Sequence, residues 1–308
     1  MKIVFLDAAT MGNVSFEPFE RLGEFVRYDS STPEQARERV KDIDVLLINK
    51  VMVDKDLIDS APNLKLICIA ATGVNNIDVE YASSKGIPVR NAVGYSTNSV
   101  AQATFMHMLS LVGGGRYFDD SVKSGSYSQS GMFTDPNWNW RELAGKTLGI
   151  IGFGNIGKKV ARIAEAFDME VCYYSTSGTC HCTEYPAISL EQLLIRSDIV
   201  SIHAPLNERT HNLIGKQQLA TMKPSAFLIN MGRGAIVIEK DLADAVDNGV
   251  IAGAGIDVFV SEPIPLDHPY MTMLHPERMS LAPHVAWAST EARKRLIDIM
   301  ADNIAKGV

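Results

Sequence analysis

Four side chains in this 308-residue chain have types suited to moving a proton and holding an anion: Arg233, Asp257, Glu262 and His284. A histidine titrates near neutrality, so it can take a hydroxyl proton or return one. A carboxylate on its other ring nitrogen fixes the tautomer and raises the basicity, and Glu262 is the candidate for that role. Arginine offers a planar fork that grips a carboxylate through two hydrogen bonds and polarises an adjacent carbonyl oxygen, which lysine does less well. Each has a plain alternative when taken alone: arginines pair with surface acids, glutamates are solvated, and most histidines are structural. Shared placement changes the odds. Each of the four lies at or just beyond the end of an apolar run that reads as a parallel strand, at 226–231, 253–258 and 279–282. Parallel strand ends share one edge of a sheet, so the four groups should converge there.

A second signal falls on the same edge. The stretch KTLGIIGFGNIG, residues 146–157, starts as a short Ile-rich strand. It runs into Gly152-Phe153-Gly154-Asn155-Ile156-Gly157, a GxGxxG, and then into a helix over 158–167 with Val160, Ile163, Ala164 and Phe167 at helical spacing. Gly152 allows the tight turn, Gly154 lets backbone approach a pyrophosphate, and Gly157 lets helix lie close on strand. The helix start presents free N–H groups and a positive dipole end to the phosphates. Glycine-rich turns also arise for structural reasons, but strand, turn and helix together are the context a dinucleotide site requires. Oxidation of a secondary alcohol by a nicotinamide then needs a base, an anchor and a group that tunes the base, which His284, Arg233 and Glu262 would supply.

These groups need a frame. Short apolar strands are expected at 2–7, 44–49, 64–70 and 88–92, alternating with helices at 32–41 and 55–61. A long apolar helix follows at 96–111. From 146 onward strands at 147–153, 170–174, 199–203, 226–231, 253–258 and 279–282 alternate with helices at 158–167, 190–197 and 240–248, and a last helix spans 290–306. Such alternation implies α/β architecture: two doubly wound parallel-sheet, Rossmann-like domains with the active site in the cleft between them. The boundaries read as 1–98 plus 286–308 for a discontinuous substrate domain and 99–285 for the dinucleotide-binding domain. Residues 113–141 break the rhythm as a long irregular arm rich in Gly, Ser and Tyr, with Trp138 and Trp140. Exposed aromatics on such an arm point to a homodimer, with a disordered insertion as the alternative. The loop after the strand at 64–70, Ala71-Thr72-Gly73-Val74-Asn75-Asn76-Ile77-Asp78, could present N–H groups to an anion or simply cap a helix through Asn76 or Asp78.

Bulk properties narrow the class. Hydrophobic content of 46% and charge of 21% describe an ordinary globular protein, and the length favours two domains over one. A net charge of -7 argues against nucleic acid as a main partner. No apolar run approaches membrane-spanning length, and MKIVFLDA reads as a strand and not a signal peptide, so a cytoplasmic location is expected. Of the four cysteines, Cys68 and Cys172 sit in apolar runs. Cys180-His181-Cys182 resembles half a metal site without a second half, so a surface loop is the better reading and no metal is expected.

With these residues in view, the sequence resembles the D-isomer-specific 2-hydroxyacid dehydrogenase family along essentially its whole length. ELAGKTLGIIGFGNIG, SIHAPLNERT, FLINMGRGAIV, GAGIDVF followed by SEP, and APHVAWAS look like that family's blocks in that family's order. The resemblance implies NAD or NADP as cofactor and Arg233, Glu262 and His284 as the catalytic set. It implies that Asp257 lies beside the nicotinamide and that Pro205, Thr210 and Met231 line the cofactor, along with the Gly152–Gly157 turn. Thr72, Gly73 and Val74, with Arg233, would hold the carboxylate of a small 2-oxo or 2-hydroxy acid. HVAWAS looks most like the branch acting on hydroxypyruvate, glyoxylate or D-glycerate.

Two departures stand out. Where the family commonly has an acid after the strand at 170–174, this chain has Ser175, which implies weak discrimination between NAD and NADP. Where many members read VAE, this chain reads Val100-Ala101-Gln102. Rival readings are formate or phosphite oxidation on the same fold, and a non-catalytic NAD(H)-sensing protein of the corepressor type. Formate dehydrogenases of this fold pair the histidine with glutamine, so Glu262 disfavours formate. No long tail supports the corepressor reading.

Overall fold

The computed structural model describes residues 1–179 and 182–308. It comprises two compact units, Met1–Ser96 with Trp287–Val308, and Thr97–Ala286. The first is built on five parallel strands: β1 (Lys2–Phe5), β2 (Glu24–Arg27), β3 (Val45–Ile48), β4 (Leu66–Ile69) and β5 (Val89–Arg90), in the order β2-β1-β3-β4-β5. Alternate residues face opposite ways, and both ways are covered. Ile3, Phe5, Val45, Leu47, Leu66 and Cys68 pack against Ala292, Leu296, Ile297, Met300 and Ile304 of the helix Thr290–Gly307. Val4, Leu6, Leu46, Ile48, Ile67 and Ile69 form the opposite layer, with Ala36, Leu57 and Ala82 from three short helices. Burial on both faces explains why the central strands are unbroken apolar runs.

Sequence pattern passes over β2 and the helix Glu17–Glu20. β2 is a four-residue edge strand, EFVR, with no fully buried side chain, so it lacks the apolar run that marks its neighbours. Helix starts are sharper. Thr32 and Gln35 form a reciprocal capping box at Pro33–Arg39, and Asp78, not Asn76, caps Val79–Ser84 by accepting the Tyr81 N–H at 2.9 Å.

The second unit carries six parallel strands: β6 (Thr147–Ile151), β7 (Glu170–Tyr174), β8 (Ile199–Ile202), β9 (Phe227–Asn230), β10 (Gly253–Ile256) and β11 (Met279–Leu281). Their order is β11-β10-β9-β8-β6-β7. Helices Thr97–Gly113 and Asn155–Glu165 cover one face through Val100, Phe105, Met108, Val160 and Ala164. The other face packs on Leu193, Leu219, Leu242 and Val246 from three further helices. Both units are therefore doubly wound parallel α/β sheets.

Residues 113–141 correct the expectation of an irregular arm. They hold two helices, Gly115–Lys123 and Ser126–Ser130, bounded by Gly114, Gly125 and Gly131, all at positive φ. Neither helix buries a residue, and both are short and bounded by glycines, which read as a loop in sequence. The Tyr117 ring stacks on Trp138 at 5.1 Å, and the Tyr117 and Ser121 hydroxyls donate to Asp135. Phe133 is 93% exposed and Trp140 60%. Among the described residues no helix is long and apolar enough to cross a membrane. Cys180 and His181 lie outside the described residues.

Candidate active site

Strands β9, β10 and β11 are neighbours, and their carboxyl ends carry the four groups singled out above. Arg233 follows β9 in extended conformation. Asn230 holds both sides of that turn, accepting the Gly232 N–H at 3.1 Å and donating to the Arg233 carbonyl at 2.9 Å. Gly234 is required next: a Cβ there would run into the Phe259 backbone. The Arg233 guanidinium donates to the Gly232 carbonyl at 2.8 Å. Among the described residues no carboxylate pairs with it, which leaves its fork open to an anion.

His284 follows β11 with φ +53, a left-handed conformation that costs energy for a residue with a Cβ. The surroundings hold it there. Its N–H lies 2.7 Å from the Asp257 carbonyl and 3.0 Å from that of Ala282. The Asp257 carboxylate accepts from the N–H groups of Val285, at 2.9 Å, and Ala286, at 3.0 Å. Asp257 is 2% exposed. Burial pushes its carboxyl above the usual range, the two N–H groups and nearby His284 pull it back, and Glu262 adds to the rise. Its carboxylate is thus turned inward, bracing the His284 loop. Glu262 uses one oxygen to accept the Phe259 N–H at 3.0 Å, while the other lies 2.7 Å from His284 Nδ1. That contact leaves Nε2 as the ring nitrogen free of Glu262, and both side chains are only partly buried, so the pair can be reached.

The glycine turn after β6 meets the requirements for a dinucleotide. Gly152 has φ +90, and a Cβ there would lie 2.7 Å from the Ala204 backbone nitrogen. At Gly154 a Cβ would meet nothing within 4 Å, so open space lies over the backbone where a pyrophosphate would approach. At Gly157 it would lie 2.5 Å from the Gly152 carbonyl, which keeps helix on strand. The helix Asn155–Glu165 has no side-chain cap at its N-terminus, so its first N–H groups remain available. Sequence order reverses between β6 and β8, and the crevice at such a reversal is where open α/β sheets bind ligands.

The other expected cofactor positions divide. Asn155 and Pro205 are exposed, and Ile156 is partly buried at the rim of the core. Thr210 is fully buried and Met231 is 7% exposed within the core layer. The Thr210 hydroxyl is spent inside its own loop: it donates to the Pro205 carbonyl at 2.6 Å and accepts the Asn207 N–H at 2.8 Å. Thr210 and Met231 therefore contribute shape and not open polar groups. The Ser175 hydroxyl donates to the Thr179 carbonyl at 2.7 Å and lies 3.1 Å from Ser177 Oγ, closing the turn after β7.

In the first unit, the loop after β4 is fixed at both ends. Thr72 Oγ1 donates to the Ala92 carbonyl at 2.9 Å, and Asn91 donates to the Thr72 carbonyl at 2.6 Å. Asn76 ties the loop to the one after β3 through the Asn49 and Val51 carbonyls. Among the described residues the Gly73 and Val74 N–H groups have no acceptor, so consecutive donors remain for an anion.

The sequence assigns no role to three further residues. Asp7 is a buried carboxylate accepting from the N–H groups of Asn49, Lys50 and Val51. His203, at the end of β8, has a half-buried ring whose Nδ1 is shut off from water without a partner, and burial pushes its pKa down to about 3. Arg209 reaches from the loop after β8 to the Ser177 carbonyl at 3.0 Å. Only the adjacency of β8, β6 and β7 could have brought Arg209 to that turn.

Comparison with known proteins agrees with this geometry. Residues 105–286 match the family model described as "D-isomer specific 2-hydroxyacid dehydrogenase, NAD binding domain". A hydroxypyruvate reductase from Blautia hydrogenotrophica is 33% identical, covering 99% of this chain and 96% of its own. A glycerate dehydrogenase from Methylorubrum extorquens is 37% identical, covering 98% and 95%. Among solved structures, an NADPH-dependent glyoxylate/hydroxypyruvate reductase from Sinorhizobium meliloti, in complex with NADP and malonate, is 27% identical. It superposes with a TM-score of 0.83 over 99% of this chain and 92% of that one.

Proposed function

The chain belongs to the D-isomer specific 2-hydroxyacid dehydrogenase family, and on that premise we propose that it reduces hydroxypyruvate, and glyoxylate as a smaller substrate, to the 2-hydroxy acid. It is an NAD(P)-linked enzyme, and the bound nicotinamide supplies the hydride. This chain's residues do the rest. Arg233 grips the substrate carboxylate and polarises the adjacent carbonyl. Loop Thr72-Gly73-Val74 is assigned to carboxylate binding in the first unit. His284 gives its proton to the carbonyl oxygen as charge develops there, and in the reverse direction takes it back. Glu262 keeps Nδ1 engaged, so that Nε2 is the atom that transfers the proton. Asp257 keeps the His284 loop in its strained turn.

The observation that carries this reading is the 2.7 Å contact between His284 Nδ1 and Glu262, on the edge shared with the dinucleotide turn. Hydroxypyruvate-dependent oxidation of NAD(P)H by wild type and His284→Ala tests it. The variant should lose roughly 10³-fold in kcat while dinucleotide binding, followed by fluorescence, is largely kept. A variant with near wild-type kcat removes His284 from the mechanism.

Both NADH and NADPH should be accepted, because Ser175 stands where an acid would repel a 2′-phosphate. Their kcat/KM values should lie within about 10²-fold of one another. A second copy of this chain is the proposed partner of the 113–141 arm, whose Val122, Met132, Phe133 and Trp140 are exposed. Light scattering after size exclusion should then give about twice 33.7 kDa, and a monomer at micromolar concentration would end that proposal.

A further inference from the structure

A cation at the carboxyl ends of β7 and β8 has no role in the chemistry described so far. In a dinucleotide bound at a GxGxxG turn, the adenosine ribose lies beside the end of the strand that follows the fingerprint helix. That strand is β7, and the turn after it is Ser175-Thr176-Ser177-Gly178. Its hydroxyls hold the turn together, and it contains no carboxylate. It contains no Lys or Arg either, so by sequence it has no means of binding a phosphate. The fold supplies one from elsewhere. β8 lies on the opposite side of β6 from β7, and Arg209 in the loop after β8 extends to this turn, with Nη1 donating to the Ser177 carbonyl at 3.0 Å.

The base of Arg209 is fixed. Its N–H donates to Asn207 Oδ1 at 2.9 Å. The same loop is closed by Thr210, which accepts the Asn207 N–H at 2.8 Å and donates to the Pro205 carbonyl at 2.6 Å. A guanidinium has five N–H donors, and this one uses a single donor on a neutral acceptor. Among the described residues no carboxylate lies within ion-pair distance of it. Its charge is therefore uncompensated by the protein, next to a turn rich in hydroxyls at the place where ribose is expected.

We propose that Arg209, beside the 175–177 turn, recognises the 2′-phosphate of a phosphorylated nicotinamide dinucleotide. This rests on the reading of the Gly152–Gly157 turn as the dinucleotide site. Binding of the phosphate redirects free donors of the guanidinium onto its oxygens, as charge-assisted hydrogen bonds. Because Arg209 is exposed, solvent and salt screen the interaction, and its effect on affinity is about tenfold, not a thousandfold.

The test is equilibrium binding of NADPH and NADH, by fluorescence titration, to wild type, Arg209→Gln and Arg209→Lys. Displacement by adenosine 2′,5′-bisphosphate and by 5′-AMP isolates the 2′-phosphate. Arg209→Gln should raise the Kd for NADPH about tenfold and leave that for NADH within about twofold. It should also remove the advantage of the bisphosphate over AMP, and Arg209→Lys should keep part of it. Equal weakening of both dinucleotides would mean that Arg209 only holds its loop, and no change in either would mean that the phosphate lies elsewhere; both overturn the proposal while leaving the dinucleotide site intact. Failure of wild type to bind either dinucleotide would overturn the site and the proposal together.

Discussion

The two sheets share a strand order and differ in what occupies the point where that order reverses. Numbered from its own first strand, each reads 2-1-3-4-5, with a sixth strand added in the second unit. The crevice lies outside the carboxyl ends of strands 1 and 3. In the first unit Asp7 fills it. The side chain is 5% exposed, and its carboxylate accepts three consecutive N–H groups, from Asn49, Lys50 and Val51, at 2.6–3.0 Å. In the second unit the equivalent place holds Gly152, so close to Ala204 that a Cβ is excluded, followed by open space at Gly154. One crevice is closed by the chain's own anion, and the other is left for a foreign one. An edge lined with N–H groups becomes a binding site only where the chain does not supply the anion itself. The first unit keeps its open donors one strand further along, at Gly73 and Val74.

The comparison breaks most easily at the glycines. Gly152→Ala places a Cβ at φ +90, 2.7 Å from the Ala204 backbone, which cannot move aside as a side-chain end could. Strain and collision together should cost about 3 kcal/mol or more, read as a fall in the urea midpoint, with dinucleotide binding lost. Gly154→Ala meets nothing within 4 Å. It should change stability by less than about 1 kcal/mol, yet raise the dinucleotide Kd by roughly 10²-fold, about 2.7 kcal/mol. An unchanged Kd would mean that the pyrophosphate does not cross Gly154.

Asp7→Ala tests the closed crevice. It strips three backbone donors of their acceptor, so about 2–3 kcal/mol of stability should go. The dinucleotide Kd should stay within about twofold, since the turn that binds it is untouched. Unchanged unfolding would show that water replaces the carboxylate at no cost, and the crevice would then count as open.

How much of this contrast the residues announce depends on the range of the interactions involved. The fingerprint is local: strand, turn and helix are contiguous, so Gly152, Gly154 and Gly157 are readable in one window. Arg233, Glu262 and His284 are distant in sequence but each follows a strong strand signal, and parallel strand ends must share an edge. Asp7 gives no signal, because its partners are more than forty residues away and an Asp after a strand is ordinary. Arg209 is hidden for the same reason: its partner turn belongs to a strand on the far side of β6. The two helices of the 113–141 arm are unreadable for another cause. They are short and bounded by Gly114, Gly125 and Gly131, and glycine runs of that kind read as loop.

The smallest expected effect concerns His203, which stands at the end of strand 3 in the open crevice, while the closed crevice holds the Asp7 carboxylate. Burial pushes the His203 pKa from 6.5 down to about 3. The unfolded chain therefore binds a proton that the folded chain does not, between about pH 6.5 and pH 3, and stability contributed by the neutral ring is lost as pH falls through that window. From pH 7 to pH 5 the loss should be at most about 2 kcal/mol, reduced by whatever solvent reaches the ring. His107, also pushed down by burial, adds to the same slope. Asp257 works in the opposite sense. Its carboxyl is raised, so the stability it contributes is present at low pH and is lost as pH rises through the raised value. The slope of wild type alone thus belongs to no single group. His203→Gln separates them: the amide can still reach Ser201 Oγ, now 2.8 Å from His203 Nε2, but cannot take up a proton. Urea unfolding at pH 7 and pH 5 should show wild type losing more stability than the variant, by up to about 2 kcal/mol. Equal losses would mean that the His203 ring titrates as it does in water, and that the open crevice does not hold it neutral.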